Sequence, residues 1–189
     1  NMMKENKLKQ RLNSGEVLLG TWTVISSPTL IEIMGSAELD FVIIDHEHGP
    51  FSFEVSENMI RAAENSDCTP LIRVPENNPS YILRALEIGA HGILVPQIDD
   101  SMQAKLAIDS IYYSPLGNRG VSAFTRASGF NASEVKGRNV KVNKNILSIL
   151  LVESAIAIEN IEEILENSNI DIIYIGTYDL SHSLGTPDN

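Results

Sequence analysis

Short runs of apolar residues, many of them β-branched, alternate along the chain with segments in which apolar residues recur at helical spacing. The runs predict six strands: Val17–Val24, Phe41–Ile44, Pro70–Val74, Gly92–Val95, Leu147–Val152 and Ile170–Ile175. Several of them, such as Phe41–Ile44, are apolar at nearly every position. Strands of this kind are covered on both faces, which is typical of a parallel sheet.

Helical spacing predicts five helices between these strands: Thr29–Gly35, Phe51–Asn65, Ser80–Ile88, Ser101–Ile111 and Ala155–Asn167. Ser27, followed by Pro28, has the features of an N-cap with proline at the first helical position. The strand–helix order is interrupted by a long loop, Tyr113–Asn143. Such an order indicates either a (β/α) barrel or a doubly wound parallel sheet.

Polar or aromatic side chains follow most of the predicted strands, at the point where each strand ends. These positions are Trp22, Asp45, Glu47, His48, Arg73, Gln97, Asp99, Glu153 and Asp179. A (β/α)8 enzyme assembles its active site from the carboxyl ends of many strands, and the glycine-rich fingerprint of a Rossmann fold is absent from the sequence. The predicted fold class is therefore α/β, a (β/α)8 TIM barrel.

The number of strands departs from that prediction, because a closed barrel needs eight strands and the pattern shows six. Either the last two β/α units are absent from this chain, or the sheet is genuinely open. An open barrel leaves two unprotected strand edges. We therefore expect residues 1–189 to form a single barrel domain that is truncated at its C-terminal end.

The acidic composition narrows the range of partners. The 189 residues include 14 lysines and arginines against 25 aspartates and glutamates, for a net charge of −11. That balance disfavours nucleic acids and anionic membrane surfaces as partners. The single cysteine, Cys68, cannot form an internal disulfide, and the sequence shows no membrane-spanning run and no signal peptide. We expect a cytoplasmic protein that binds neither nucleic acid nor membranes.

Ionisable groups are concentrated after the second predicted strand. In extended backbone, Asp45 and Glu47 share one face, and the two histidines of the segment, the second of them His48, share the other. Buried carboxylates need a compensating partner, although Asp45 could instead cap a turn. Arg73 ends an apolar strand, where a guanidinium needs a carboxylate, either from a substrate or in a salt bridge to Glu47 or Glu76.

Glu153 and Asp179 come directly after neighbouring predicted strands. Two carboxylates at one barrel rim repel each other unless a cation lies between them. Two carboxylates, together with waters and substrate oxygens, are a usual way to hold Mg²⁺ or Mn²⁺. The structural alternative is that Asp179 caps the turn Leu180–Leu184 and that Glu153 caps the helix beginning at Ala155. Spacing alone leaves both interpretations open.

A resemblance to a known family rests on eight stretches: Leu19–Trp22, Ile44–Pro50, Leu71–Arg73, Glu87–Ala90, Val95–Pro96, Tyr113–Val121, Val152–Ser154 and Gly176–Gly185. Together they resemble the HpcH/HpaI aldolase family, the metal-dependent class II pyruvate aldolases, in family order and over nearly the whole chain. The resemblance implies a (β/α)8 barrel and a homo-oligomer, commonly a hexamer whose dimers exchange a C-terminal helix. It also implies a divalent metal ion: Mg²⁺, Mn²⁺ or Co²⁺.

The resemblance further implies roles for individual residues. Glu153 and Asp179 are similar in position to the metal ligands of the family. His48 is similar to its acid/base and Arg73 to its oxyanion stabiliser, and Glu87 falls where an acidic residue raises the basicity of the histidine. The residues expected to contact the substrate are Gly176, Tyr178, Trp22 and Leu151, and those expected to support the site are Asp45 and Glu47.

The reaction that the resemblance implies is reversible cleavage of a 4-hydroxy-2-oxo acid to pyruvate and an aldehyde, through a metal-stabilised enolate. The small-molecule substrate would be a 2-keto-3-deoxy sugar acid or a 4-hydroxy-2-oxo diacid. Leu151 stands where many of these aldolases have glutamine, and this apolar residue is compatible with a first alternative, a citrate or malyl lyase acting on a CoA ester. The second alternative is a non-catalytic barrel subunit.

Overall fold

Six parallel strands in chain order form one curved sheet in the part of the chain that the computed structural model describes, residues 6–132 and 137–187. The strands are β1 Gly20–Thr23, β2 Phe41–Asp45, β3 Thr69–Arg73, β4 Gly92–Val95, β5 Leu147–Val152 and β6 Ile172–Ile175. Each strand pairs in parallel with the next one, so all carboxyl ends lie along the same edge. The predicted α/β fold is confirmed, and the sheet is a curled half-barrel.

Most of the helices connect these strands and cover the outer face of the sheet, whereas the first helix precedes β1 and the last follows β6. They are α1 Lys7–Asn13, α2 Pro28–Ser36, α3 Phe53–Asn65, α4 Pro79–Glu87, α5 Ser101–Ile111, α6 Arg138–Asn145, α7 Ala155–Glu159, α8 Ile161–Leu165 and α9 Thr177–Ser183. The hydroxyl of Ser27 accepts a hydrogen bond from the N–H of Leu30 (3.2 Å), and Pro28 begins α2, as predicted. Within the described residues, no helix is long and apolar enough to cross a membrane.

Helical structure differs from the prediction in three places. The helix α1 occupies a polar stretch whose one buried residue is Leu8. The helix α6 forms inside the predicted loop Tyr113–Asn143, of which residues 133–136 lie outside the described part of the chain. The predicted helix Ala155–Asn167 is divided at Asn160, whose side-chain amide donates to a backbone carbonyl oxygen 2.9 Å away. In each place, tertiary contacts decide the local structure, and the sequence pattern does not show them.

The two faces of the strands contribute to two separate apolar clusters. The outer cluster lies between sheet and helices and includes Ile44, Ile72 and Ile93. The inner cluster fills the concave side, and its buried strand residues are Ile43, Leu71, Leu94, Leu147, Ile149 and Leu151. Because successive side chains of a strand point to opposite faces, burial on both faces makes the strands read as continuous apolar runs.

The curl of the sheet brings its first and last strands together. Trp22 of β1 donates from Nε1 to the hydroxyl of Tyr174 on β6 (3.0 Å), and their ring centroids are 5.3 Å apart. At the amino ends of the strands, Leu8 of α1 enters the inner cluster, and the Asn6 amide donates to the carbonyl oxygen of His91 (2.9 Å). The concave interior is therefore covered at its amino end, and its carboxyl end forms the mouth.

Candidate metal and substrate site

A pocket of about 300 Å³ opens at the carboxyl ends of the strands. Its walls come from β1, β3, β5 and β6 and from the segments that follow β2, β5 and β6. The lining residues are Trp22, His48, Arg73, Leu151, Glu153, Tyr174, Ile175, Gly176, Thr177, Tyr178 and Asp179. Eight of the eleven residues predicted for the site therefore meet in one pocket.

Arg73 is held in this pocket by two carboxylates of the protein. Its Nε and Nη2 atoms donate to the two carboxylate oxygens of Asp45 (2.8 and 2.6 Å), and its Nη1 lies 2.9 Å from Oε2 of Glu47. Burial lowers the pKa of Arg73, but Asp45 and Glu47 outweigh burial and raise it. The two interpretations of Arg73 are thus compatible, because the same guanidinium forms internal ion pairs and lines the pocket.

The segment after β2 is a turn, so the predicted extended arrangement of its side chains is wrong. Asp45 ends the strand, and its Oδ1 accepts hydrogen bonds from the N–H groups of Glu47 (3.0 Å) and His48 (3.3 Å). These bonds turn the chain and place His48 at the pocket. His46 lies elsewhere, with Nε2 2.8 Å from the Ser56 hydroxyl. The two histidines are therefore separated by the turn and do not share a face.

Glu153 and Asp179 do not cap the helices that follow β5 and β6. The cap of α7 is Ser154, whose hydroxyl accepts from the N–H of Ala157. The helix α9 begins at residue 177 with Gly176 as its cap, and Asp179 lies inside its first turn. Both carboxylates are thus left to line the pocket. Glu153 is oriented by the N–H of Gln97, which donates to its Oε1 at 2.9 Å.

Negative charge accumulates around these carboxylates. Burial raises the pKa of Glu153, and the charges of Glu47 and Asp179 raise it further. Burial also raises the pKa of Glu47, despite the nearby guanidinium of Arg73, and Asp179 adds to that effect. A divalent cation between Glu153 and Asp179 would offset this repulsion, and carboxylate oxygens are the hard ligands that such a cation takes.

Few side chains in the pocket could act as ligands for a cation. Among residues 6–132 and 137–187, no group of three or more His, Cys, Asp or Glu side chains is arranged to hold a metal ion. Glu153 and Asp179 both line the pocket, and two carboxylates suit a cation site that water and ligand oxygens would complete. Mg²⁺ and Mn²⁺ accept such incomplete protein ligation. The chemistry of the donors fits a divalent metal ion.

Gly176 is required by the close packing of the pocket wall around Glu153. A Cβ atom at this position would lie 2.8 Å from Cβ of Glu153 and 3.2 Å from Cδ1 of Leu151. Contacts below 3 Å force a shift, so any side chain here displaces the carboxylate. Leu151 is itself buried in the inner cluster and forms an apolar wall of the pocket.

Aromatic residues complete the walls of the pocket. The guanidinium carbon of Arg73 lies 4.6 Å from the centroid of the Trp22 ring, a cation–π contact. Tyr178 is mostly exposed, and its ring packs against that of His182, with centroids 4.9 Å apart. The prediction missed Tyr174, because it sits inside an apolar strand. Its position two residues before Gly176, on the same side of the strand, was the available signal.

The structure does not bring Glu87 to this pocket, and its predicted contact with His48 is corrected. Glu87 is the last residue of α4, a helix that runs from the carboxyl end of β3 back towards the amino end of β4. It therefore lies at the opposite edge of the sheet. There its charge partly offsets the effect of burial, which lowers the pKa of the Arg119 guanidinium.

Comparison with known proteins agrees with this geometry. Residues 18–189 match the model of the HpcH/HpaI aldolase/citrate lyase family. The chain belongs to this family. The HpcH/HpaI match extends over both pocket carboxylates, Arg73 and His48.

Named HpcH/HpaI relatives are similar along nearly the whole chain. A 2-keto-3-deoxy-L-rhamnonate aldolase of Escherichia coli O17:K52:H18 (strain UMN026 / ExPEC) is 34% identical over 189 residues, which are 100% of this chain and 70% of the relative. A 5-keto-4-deoxy-D-glucarate aldolase of Escherichia coli O9:H4 (strain HS) is 34% identical over 180 residues, 95% of this chain and 70% of the relative.

A solved HpcH/HpaI structure has the same fold. The HpcH/HpaI aldolase from Desulfitobacterium hafniense DCB-2 superposes with a TM-score of 0.90 at 28% identity, covering 96% of this chain and 70% of that one. The predictions of an HpcH/HpaI family member, of an aldolase-type lyase and of the barrel-type α/β fold are confirmed. The roles of the individual site residues stay predictions.

Proposed function

We propose that this protein is a divalent-metal-dependent aldolase that reversibly cleaves a 4-hydroxy-2-oxo acid to pyruvate and an aldehyde. The substrate class is a 2-keto-3-deoxy sugar acid or a 4-hydroxy-2-oxo diacid. The observation that carries the proposal is the pair of mutually repelling carboxylates, Glu153 and Asp179, in one pocket with Arg73 and His48. The two named relatives, which are aldolases of keto-deoxy sugar acids, support the reaction class.

Glu153 and Asp179 would hold the cation, which we propose to be Mg²⁺, Mn²⁺ or Co²⁺. When bound, it supplies Lewis-acid polarisation of the 2-oxo group. The Gln97 N–H fixes one oxygen of Glu153 and leaves the other available to a ligand. Gly176 lets the carboxylate pack this closely against the following strand.

Arg73 would stabilise the negative charge that develops on the substrate oxygen as the C3–C4 bond breaks. Two of its N–H groups donate to Asp45, and a third points to Glu47. A guanidinium carries five N–H donors, so two remain for a ligand in the pocket. Because the carboxylates and the Trp22 ring fix the guanidinium in place, little reorganisation is needed during the reaction.

His48 would transfer the proton of the 4-hydroxyl group. Its imidazole lines the exposed mouth of the pocket, on a turn that Asp45 anchors through two N–H groups. Imidazole both accepts and donates protons near neutral pH, which suits a reversible cleavage. In the cleavage direction His48 takes the proton, and in the condensation direction it returns it.

Pyruvate release from 4-hydroxy-2-oxo acids tests this proposal. We expect chelation to abolish activity and added Mg²⁺ or Mn²⁺ to restore it. We also expect His48→Ala and Arg73→Ala to lower kcat by about 100-fold or more, in the range for positioned proton-transfer and charge-stabilising groups. The control Arg61→Ala removes a half-exposed guanidinium of α3 and leaves activity unchanged. Activity indifferent to chelator, or release from CoA esters in preference to free oxo acids, contradicts the proposal.

We propose further that the enzyme is cytoplasmic and homo-oligomeric, a hexamer by its resemblance to the family. The single cysteine, Cys68, is buried and free, which suits a reducing compartment. Large apolar side chains such as Phe124 and Phe130 are exposed, and surfaces of this kind favour association. Light scattering coupled to size-exclusion chromatography measures the assembly, and a monomer at micromolar concentration contradicts it.

A further inference from the structure

Tyr174 brings a polar group to a largely apolar part of the pocket wall. On β6 it pairs in register with Leu151 of β5, one step deeper than Glu153 and Gly176. The inner cluster around it consists of apolar side chains, Ile172 and Leu151 among them. A half-buried phenol at this depth needs hydrogen-bond partners for its hydroxyl group.

Among the described residues, the hydroxyl of Tyr174 has one hydrogen-bond partner, and that contact does not use the hydroxyl proton. It accepts a hydrogen bond from Nε1 of Trp22 at 3.0 Å. An indole N–H can only donate, so the hydroxyl proton needs a separate acceptor. Across residues 6–132 and 137–187, no protein atom accepts it. The pocket lined by Trp22 and Tyr174 is therefore where an acceptor can reach this donor.

The same contact fixes the position of the donor. The Trp22 ring forms a T-shaped contact with the ring of Tyr174, and the guanidinium of Arg73 lies over its face. Arg73 is in turn held by Asp45. Two donors, a hydroxyl and a guanidinium, are thus positioned around one space before any ligand arrives, and such preorganisation favours binding.

We propose that Tyr174 is a substrate-contacting residue, whose hydroxyl donates a hydrogen bond to the oxygen of a 2-oxo acid that reaches deepest into the pocket. This inference rests on the proposed function, because that function supplies an oxo acid as the ligand. The matching ligands carry an oxygen acceptor at their inner end, as pyruvate and its analogue oxamate do. Phenylalanine at position 174 keeps the ring and removes the hydroxyl, which is both this donor and the acceptor for the Trp22 N–H.

Trp22 is the one tryptophan of this sequence, so its fluorescence reports on ligand binding in this pocket. Oxamate is titrated in saturating Mg²⁺ against the parent, Tyr174→Phe and the control Tyr81→Phe. Tyr81 lies on α4 and packs on the outer cluster, away from the pocket. We expect Tyr174→Phe to raise the Kd of oxamate about tenfold or more, since the lost bond joins a donor to a charged ligand. Tyr81→Phe should leave the Kd unchanged.

A second pair of variants separates a direct contact from an effect through the indole. Trp22→Phe removes the N–H donor and keeps the Tyr174 hydroxyl, and calorimetry then measures oxamate binding with and without Tyr174→Phe in that background. If Tyr174 contacts oxamate directly, Tyr174→Phe should still weaken oxamate binding about tenfold in the Trp22→Phe background. A loss that disappears there, or an unchanged Kd for Tyr174→Phe alone, overturns this inference and leaves the proposed function intact. A parent protein that does not bind oxamate overturns both.

Discussion

Asp45→Asn tests the ion pair that holds the site together. The Asp45 carboxylate is 3% exposed and accepts four hydrogen bonds, two from Arg73 and two from the backbone of the turn that carries His48. An asparagine keeps one acceptor oxygen but places an amide N–H₂ opposite a guanidinium N–H. The substitution therefore removes one charge-assisted bond and leaves Arg73 with Glu47 as its remaining close carboxylate.

The expected loss of unfolding free energy follows from these contacts. Removing one partner of a buried ion pair costs about 3–5 kcal/mol. Because the Glu47 carboxylate still lies 2.9 Å from the guanidinium of Arg73, we expect about 2–3 kcal/mol for Asp45→Asn. Urea denaturation at pH 7 measures this loss as a lower midpoint at unchanged slope. The control Asp67→Asn removes a carboxylate that is paired at the surface with Lys7 and should cost less than about 0.5 kcal/mol.

The pH dependence of the unfolding free energy shows whether the Asp45–Arg73 ion pair causes the loss of stability in Asp45→Asn. Burial raises the pKa of Asp45, but the hydrogen bonds and charge of Arg73 outweigh burial and lower the pKa below its usual value. A lowered folded-state pKa contributes stability above the unfolded pKa of about 4, and that contribution is lost as the pH falls through the folded value. The difference in unfolding free energy between the parent and Asp45→Asn should therefore be largest at pH 7 and decrease below about pH 4. A stability difference under about 0.5 kcal/mol at pH 7, or one equally large at pH 7 and below pH 4, would show that the Asp45–Arg73 ion pair does not stabilise the fold in this way.

Two further substitutions test the fold and the metal side of the pocket. Burial raises the pKa of Glu64, but hydrogen bonds from a histidine and an arginine lower it to about 2. Glu64→Gln should therefore lower the free energy of unfolding, measured in urea at pH 7, by about 3 kcal/mol. This difference from the parent should disappear as the pH falls from about 4.5 to 2, and a difference that does not depend on pH contradicts the prediction. Gly176→Ala should weaken Mn²⁺ binding at least about tenfold, because the new Cβ displaces Glu153, and calorimetry measures it. The control Gly120→Ala meets its nearest atom at 3.6 Å, and equal affinities in the two variants contradict the steric argument.

The sequence predicts the position of the site because the strands are parallel. Carboxyl ends of parallel strands lie along one edge, so Trp22, Arg73, Glu153 and Asp179 meet there although they are distant along the chain. The apolar strand pattern also predicts the two-layer core, since each strand buries both faces. These features depend on local periodicity, which a single sequence contains.

Features that depend on a turn or on helix direction were less predictable. The spacing of two histidines separated by one residue predicts a shared face, but Asp45 caps a turn that places them in different surroundings. Glu87 was assigned by resemblance, and the direction of its helix carries it to the other edge of the sheet. Tyr174 lies inside an apolar strand, so the sequence pattern does not indicate a role for its hydroxyl. That role is indicated only by the curled sheet, which brings Trp22 into contact with it. Each of these outcomes needs three-dimensional information.

In the proposed function, Glu153 and Asp179 share one divalent cation, which the oxo-acid ligand would also contact. Calorimetry with Mn²⁺, followed by oxamate, measures the binding of the metal and then of the ligand to the parent, Glu153→Gln and Asp179→Asn. We expect one Mn²⁺ per chain, an affinity at least about 100-fold weaker in either variant, and oxamate binding that requires the metal. Mn²⁺ binding of equal strength in all three proteins, or oxamate binding unaffected by removal of the metal, would contradict the proposed function.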